Sequence, residues 1–308
     1  MPVEKMVNSW FSCYRDLQPN EDPRLNSLVI DFSDAQITNT NAVENAINAV
    51  MNITKNHPPP YKVLMSGGVD SQAVAYAWLL SGKPFSAIHF SYGSNLDDTQ
   101  SCVAFCALRN IDLEIHHFDP LPFITSDRLV EAAVEFDCSS PQILSHIEMM
   151  RELPDATYVM SGNFIQPDIC GLNWTILGLQ RYADKYRKDF IPFFFLSDAN
   201  IAYSFYEVDR RIKYEHFQKT GERSDYFNKC ECYTQLGFPV VPQFKKLTGF
   251  EVIKEQFDDT KVPFMTKLTW SNMPSKRPFD FLYRYSLYNS IGLYSEQTRL
   301  IHPPSINT

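Results

Sequence analysis

The chain has 308 residues and a formal net charge of −8 at pH 7, and 44% of its residues are hydrophobic. This composition is typical of a globular protein, so whole-chain disorder and coiled coil are excluded. The acidic balance makes a nucleic-acid partner unexpected, because binding phosphates over a large surface needs concentrated Lys and Arg.

The first 55 residues are predicted to form an N-terminal extension with one strand and one helix. The strand is expected at residues 28–32, where the apolar run Leu-Val-Ile-Asp-Phe stands. The helix begins after the capping residues of Asn39-Thr40-Asn41 and follows helical apolar spacing to Met51. Three consecutive prolines at 58–60 cannot continue a helix, so we expect a boundary near residue 56.

Strands and helices alternate along residues 56–200. The pattern predicts strands at 61–65, 85–92, 113–118 and 156–160, and helices at 71–80, 97–108 and 141–152. Helices of this length between strands indicate right-handed βαβ units and a parallel sheet, which is an α/β, Rossmann-like fold. Ligands of such sheets bind beyond the carboxyl ends of the strands. Ser66, Ser91 and Ser161 stand at such ends and are therefore candidate binding residues.

The pattern changes in the last third of the chain. Long amphipathic runs such as residues 201–218, separated by proline-rich breaks, predict a mainly helical C-terminal region over residues 201–308. We expect this region to cover the mouth of the sheet and to form the substrate pocket.

The most informative segment is Ser66-Gly67-Gly68-Val69-Asp70-Ser71, which follows an apolar strand and begins a helix. Adjacent glycines allow backbone N–H groups to approach an anion closely, and the helix directs its positive end to the same point. The two serine hydroxyls add hydrogen-bond donors. Asp70 would repel phosphate unless a cation intervenes, which suggests Mg²⁺ between the carboxylate and the phosphates.

This segment resembles the SGG-x-DS signature of the PP-loop ATP pyrophosphatases, a group with a HUP-type Rossmann-like domain that includes the synthetase domain of asparagine synthetase. The resemblance implies that residues 66–71, with Val69 among them, hold the pyrophosphate of ATP while a substrate oxygen attacks the α-phosphorus. It covers roughly residues 40–180, and asparagine synthetase-like domains are the nearest in pattern.

A second segment with family likeness is Ser161-Gly162, which resembles the strand end that begins the next conserved region of asparagine synthetases. The acidic stretch that follows it in those enzymes is replaced here by Asn163-Phe164-Ile165-Gln166-Pro167-Asp168. Asp168 is therefore a candidate second magnesium ligand beside Asp70. Too few residues precede the loop for a glutaminase domain, so the resemblance implies ammonia from solution or from a partner.

The implied activity is ATP-dependent adenylation of a carboxylate or carbonyl oxygen of a small-molecule acceptor, with AMP and pyrophosphate as products. Lys267 is the candidate for a catalytic cation that folds back onto the phosphates, although a surface lysine fits the same pattern. Two alternatives stay open. One is a nucleobase- or tRNA-modifying enzyme of the same loop class, and the other is a nucleotide-binding module without catalysis.

Seven cysteines are scattered along the chain, and the N-terminus does not resemble a signal peptide. This pattern predicts free thiols in a reducing compartment. No apolar stretch approaches the ~20 residues of a membrane span. We therefore expect a cytoplasmic protein without a membrane partner.

Overall fold

The computed structural model describes most of the chain between residues 41 and 242 and a few separate segments. The described residues are 3–8, 11–14, 27–30, 32, 37, 38, 41–136, 138, 141–162, 174–187, 189–220, 226–242, 249 and 299–300.

The centre of the molecule is a five-stranded sheet in which every neighbouring pair is parallel. Its strands are β4 (Tyr61–Leu64), β5 (Ser86–Ser91), β6 (Leu113–His117), β7 (Thr157–Met160) and β8 (Phe190–Ile191). Their order across the sheet is β6-β5-β4-β7-β8. The chain thus builds outward from β4 in one direction and then returns to build from β4 in the other. This is the doubly wound arrangement, with its switch point between β4 and β7.

Alternate side chains of the strands enter two separate cores, because successive residues of a strand point to opposite faces. Leu64, Ile88 and Tyr158 belong to one core, and Val63 and Val159 to the other. Both faces of the sheet are therefore covered, as parallel sheets require.

The helices divide between the two faces of the sheet. They are α1 (Ala42–Asn56), α2 (Val69–Ser81), α3 (Leu96–Leu108), α4 (Pro120–Ile124), α5 (Asp127–Phe136), α6 (Pro141–Arg151), α7 (Trp174–Tyr186), α8 (Ala199–Thr220) and α9 (Tyr226–Gln235). Helices α4 to α7 contribute to the Leu64 core, and α1, α2, α3, α8 and α9 contribute to the Val63 core, with a few residues at the start of α8 shared.

A second, smaller sheet is formed by strands from the two ends of the sequence. It consists of β1 (Val3–Asn8), β2 (Phe11–Tyr14), β3 (Ser27–Ile30) and β9 (Arg299–Leu300) in that order. The first three strands are antiparallel, and β9 runs parallel to β3.

The predicted α/β fold with a parallel sheet is confirmed, and the predicted strands and helices between 61 and 160 are observed within about two residues. Sequence analysis missed α4, α5, α7 and β8, and it placed one strand in the N-terminal extension, whose described residues form three. The mainly helical prediction for 201–308 agrees with α8 and α9, while most of residues 243–308 lie outside the described residues. The domain limits at 56 and 201 stay a prediction, and helices on both sides of each limit pack in one core.

Among the helices that the structure describes, none combines the length and the apolar character needed to cross a membrane. The five cysteines whose side chains are described are free thiols, and all five are buried.

Candidate functional site

The Ser66–Ser71 loop lies at the switch point of the sheet. It follows β4 directly, and α2 begins at its Val69. On the neighbouring strand β7, Met160 pairs with Leu64, so Ser161 and Gly162 follow β7 at the level of Met65 and Ser66. Ligands of doubly wound sheets bind in this crevice.

The two serines of the loop hold its backbone in a tight turn. The Ser71 hydroxyl donates to the Gly68 carbonyl at 2.9 Å and accepts from the Ser66 N–H at 3.2 Å. The Ser66 hydroxyl lies 3.3 Å from the Ser71 hydroxyl and accepts from the Gly68 N–H at 3.3 Å. The first turn of α2, whose N-cap is Gly68, directs its N–H groups into the crevice at the switch point.

Gly67 is required by the geometry of the loop. Its φ is +82°, and a Cβ added there would lie 2.4 Å from the Asp98 carbonyl oxygen on α3. Its own carbonyl accepts from the Ser101 hydroxyl at 3.0 Å and from the Gln72 amide at 3.0 Å. Gly68 differs, because a Cβ there would meet only the Ser66 hydroxyl at 3.4 Å.

A buried histidine fixes the strand end before the loop. His89 Nδ1 lies 2.8 Å from the Met65 carbonyl, and Nε2 lies 2.8 Å from the Thr99 hydroxyl. Because burial lowers the pKa of His89, the neutral ring is favoured. Nδ1–H then donates to Met65, and Nε2 accepts from Thr99. His89 is thus a positioning residue for the loop.

A pocket opens beside the loop, on the face of the sheet covered by α6 and α7. It is a small pocket, with a cavity volume of about 60 Å³. Most of its lining is apolar, and its polar groups come from the loop, from β5 and the turn after it, from α3 and from α6. The lining includes Leu64, Ser66, Ile88, Phe90, Asn95, Asp98 and Met160.

Tyr92 and His146 also line this pocket, and they are bonded to one another. The Tyr92 hydroxyl and His146 Nε2 share a hydrogen bond at 2.8 Å. Burial lowers the pKa of His146 to about 4 and raises the pKa of Tyr92. Both groups are therefore neutral at physiological pH, so this wall of the pocket is polar without carrying charge.

Asp70 points away from the pocket, into a buried contact with α9. The Lys229 ammonium donates to Asp70 Oδ2 at 2.7 Å, and the Tyr233 hydroxyl donates to Oδ1 at 2.6 Å. The exposed fractions are 8% for Asp70, 9% for Lys229 and 0% for Tyr233. Burial, together with the charge of Asp70, raises the pKa of Tyr233 well above its usual value. The two donors stand four residues apart, so they share one face of α9.

The partners of Asp70 do not fit a magnesium ion held by this carboxylate. Mg²⁺ requires an octahedron of oxygen ligands at about 2.0–2.1 Å. An ammonium is no ligand, and it would repel a divalent cation on the same carboxylate. Among the described residues, moreover, no three His, Cys, Asp or Glu side chains converge as a metal site.

Gln72 connects the loop to the segment after α9. Its amide nitrogen donates to the Val241 carbonyl at 3.1 Å, and its amide oxygen accepts from the Val241 N–H at 2.7 Å. The same nitrogen also donates to Gly67, as described above. One buried side chain therefore holds two backbone segments together.

Comparisons with known proteins give structural similarity only. No protein-family model and no curated protein matches the chain. Similar solved structures include an NMN synthetase from Francisella tularensis, at 13% identity and a TM-score of 0.39, covering 86% of this chain and 98% of that one. They also include an NH₃-dependent NAD synthetase from Campylobacter jejuni, at 16% identity and a TM-score of 0.33, covering 85% and 98% of the two chains.

A third similar structure is the U34-tRNA thiolase NcsA from Methanococcus maripaludis, at 13% identity and a TM-score of 0.32, covering 84% of this chain and 82% of that one. Similarity at this level does not establish a shared activity. The assignment of the fold rests on the strand order described above.

The predicted binding residues fall into three groups. Residues 66–71 form one loop, and Ser161 and Gly162 stand beside it just after β7. Ser91, at the end of β5, is buried outside the pocket lining, and its carbonyl accepts from the Phe118 N–H at 2.9 Å. Asp168 and Lys267 lie outside the described residues.

Sequence analysis missed Lys229, Tyr233, His89 and His146. The spacing of Lys229 and Tyr233 indicates a common helix face, but their partner is more than 150 residues away in sequence. A single sequence contains no signal for that contact.

Proposed function

We propose that the chain is an ATP-dependent adenylating enzyme, which cleaves ATP between the α- and β-phosphates and activates a carboxylate or carbonyl oxygen. The observation that supports this most is the position of the Ser66–Ser71 loop. A glycine turn at a helix N-terminus, placed at the switch point of a doubly wound sheet, attracts anionic phosphates. A mostly apolar pocket opens next to it.

In this proposal the pyrophosphate lies on the loop and the nucleoside in the pocket. The N–H groups at the start of α2 and the hydroxyl of Ser66 bind the leaving pyrophosphate, and the Ser71 hydroxyl holds the loop in shape through the Gly68 carbonyl. Phe90 and Met160 contact the nucleoside, while Ser161 and Gly162 approach the phosphate chain from β7. The enzyme's contribution is to position the phosphates and to stabilise the charge that develops on the leaving group.

The acceptor oxygen attacks the α-phosphorus, the bond to the β-phosphate oxygen breaks, and pyrophosphate leaves. Ammonia or another nucleophile, supplied from solution or by a partner, then displaces AMP from the adenylated acceptor. Asp168 and Lys267 keep their predicted roles as part of the proposal. Mg²⁺ enters it as the usual companion of ATP phosphates, and we derive no step through Asp70 as its ligand.

Pyrophosphate release from ATP, measured with a panel of acceptors, tests the proposal. Release that depends on a free carboxylic acid, together with formation of AMP, is the expected result. Dependence on a nucleobase or on tRNA would instead support the modifying-enzyme alternative. Tight ATP binding without turnover on any acceptor would contradict the enzyme and support a binding module.

The nucleoside assignment is tested by filling the pocket. Met160→Trp should weaken ATP binding by about tenfold or more, since the larger side chain occupies the space of the base. Binding of inorganic pyrophosphate should stay unchanged. Met51→Trp on the exposed face of α1, where the native side chain is 43% exposed, is the matched control. Equal ATP affinity in all three proteins would place the nucleoside elsewhere.

A further inference from the structure

The buried contact between Asp70, Lys229 and Tyr233 supplies a positive charge where the sequence alone suggested a metal ion. Asp70 is the second residue of α2, directly behind the N–H groups proposed to bind pyrophosphate. A carboxylate in that place repels a bound anion unless a cation balances it. The Lys229 ammonium, 2.7 Å from Oδ2, is such a cation and belongs to the chain itself.

Contacts from α9 and its neighbours hold the Asp70–Lys229 ion pair in place. Lys229 and Tyr233 occupy successive turns of α9, and each binds a different oxygen of the carboxylate. The Tyr233 ring is fully buried against Phe195, Phe205 and Phe238, with ring centroids 5.3–6.0 Å apart. The carboxylate therefore cannot turn toward a second cation without losing a hydrogen bond to a rigid, buried donor.

We infer that Lys229 is the built-in counter-cation of the Ser66–Ser71 loop, so that the loop binds pyrophosphate without a metal ion at Asp70. The inference rests on the proposed function, in which this loop holds pyrophosphate. Lys229 acts through Asp70, as a positioning and charge-balancing residue. Tyr233 fixes the carboxylate that it balances.

Calorimetric titration with inorganic pyrophosphate, in EDTA and again in excess MgCl₂, tests the inference. Wild type should bind in EDTA, and Lys229→Arg should keep that binding because it keeps the charge. Lys229→Met should weaken binding in EDTA by at least about tenfold, since Asp70 is then unbalanced. Mg²⁺ should restore part of the loss, because the freed carboxylate can accept it.

Two further variants test the charge of Lys229 in case Lys229→Met does not fold. Asp70→Asn retains the ammonium, and the Asp70→Asn/Lys229→Met double variant removes both charges. Asp70→Asn should bind pyrophosphate in EDTA at least as tightly as wild type, and about tenfold or more tighter than the double variant. Equal affinities of these two proteins would show that bound pyrophosphate does not experience the charge of Lys229.

The two possible failures give different results. Wild type that binds pyrophosphate only with Mg²⁺ overturns the role of Lys229 and leaves the proposed function standing. Wild type that binds pyrophosphate in neither buffer overturns the loop as a pyrophosphate site, and the inference with it.

Discussion

At the carboxyl edge of the sheet, the two faces differ in polarity and charge. On the side of α6 and α7, the pocket is apolar, and its titratable pair Tyr92 and His146 is neutral. On the side of α9, a full ion pair between Asp70 and Lys229 is buried. The loop stands between them, with Ser66 in the pocket lining and Asp70 in the ion pair. The loop thus meets a mostly apolar pocket on one face of the sheet and a buried ion pair on the other.

The charged face should respond most strongly to substitution. Lys229→Met leaves the Asp70 carboxylate buried without its ammonium, and we expect the free energy of unfolding to fall by about 3–5 kcal/mol. Chemical denaturation measures the loss. The Asp70→Asn/Lys229→Met double variant should recover most of it, because no charge then remains buried. A double variant as unstable as the single one would mean that packing of the lysine stem, and not charge, causes the loss.

On the pocket face, the neutral His146 should make the protein less stable in acid. The pKa of His146 falls from 6.5 to about 4 on burial, so the unfolded chain binds a proton in this range while the folded protein does not. Stability should therefore decrease as the pH falls from 6.5 to 4, and His146 should account for about 3 kcal/mol of the decrease. Above pH 6.5 this group should make no difference.

Unfolding curves of wild type and His146→Gln across this pH range measure that contribution. The variant should have a shallower dependence, although His89, whose pKa burial also lowers, keeps part of it. Parallel pH curves for the two proteins would contradict a neutral His146 in the folded state.

The loop between the faces should distinguish its two glycines. Gly67→Ala places a side chain in a left-handed backbone at φ +82° and against the Asp98 carbonyl. The backbone strain alone costs about 1–2 kcal/mol. Gly68→Ala at φ −75° has room for its methyl group, so its only expected cost is that alanine is a poorer N-cap than glycine, and it should destabilise the protein less than Gly67→Ala. Thermal unfolding of the two variants side by side measures the difference, and equal losses would refute the described loop.

Sequence predicted the parts of the molecule that local patterns determine. The alternation of apolar strands and helices between 61 and 160 predicted the parallel sheet, and Gly67-Gly68 before a helix predicted the loop. Helices α5 and α7 had amphipathic patterns of their own, which sequence analysis did not use. Sequence analysis could not predict the ion pair behind the loop, because nothing local to Asp70 indicates a lysine on α9.

The magnesium interpretation of Asp70 shows the same limit. A carboxylate beside a site that binds phosphate requires a cation nearby. Sequence analysis could not tell a metal ion from an ammonium, because that difference depends on which distant helix packs against α2. The structure supplies Lys229 and Tyr233 through the tertiary packing of α9 alone.

The hydrogen bonds of Gln72 allow the order of this loop to be followed in solution by hydrogen exchange. Val241 is 54% exposed, yet its N–H is bonded to a buried amide that also holds the Gly67 carbonyl. An exposed amide normally exchanges its hydrogen with water quickly, and this one is protected only while Gln72 stays in place. The exchange rate of this single exposed amide therefore reports on the internal order of the loop.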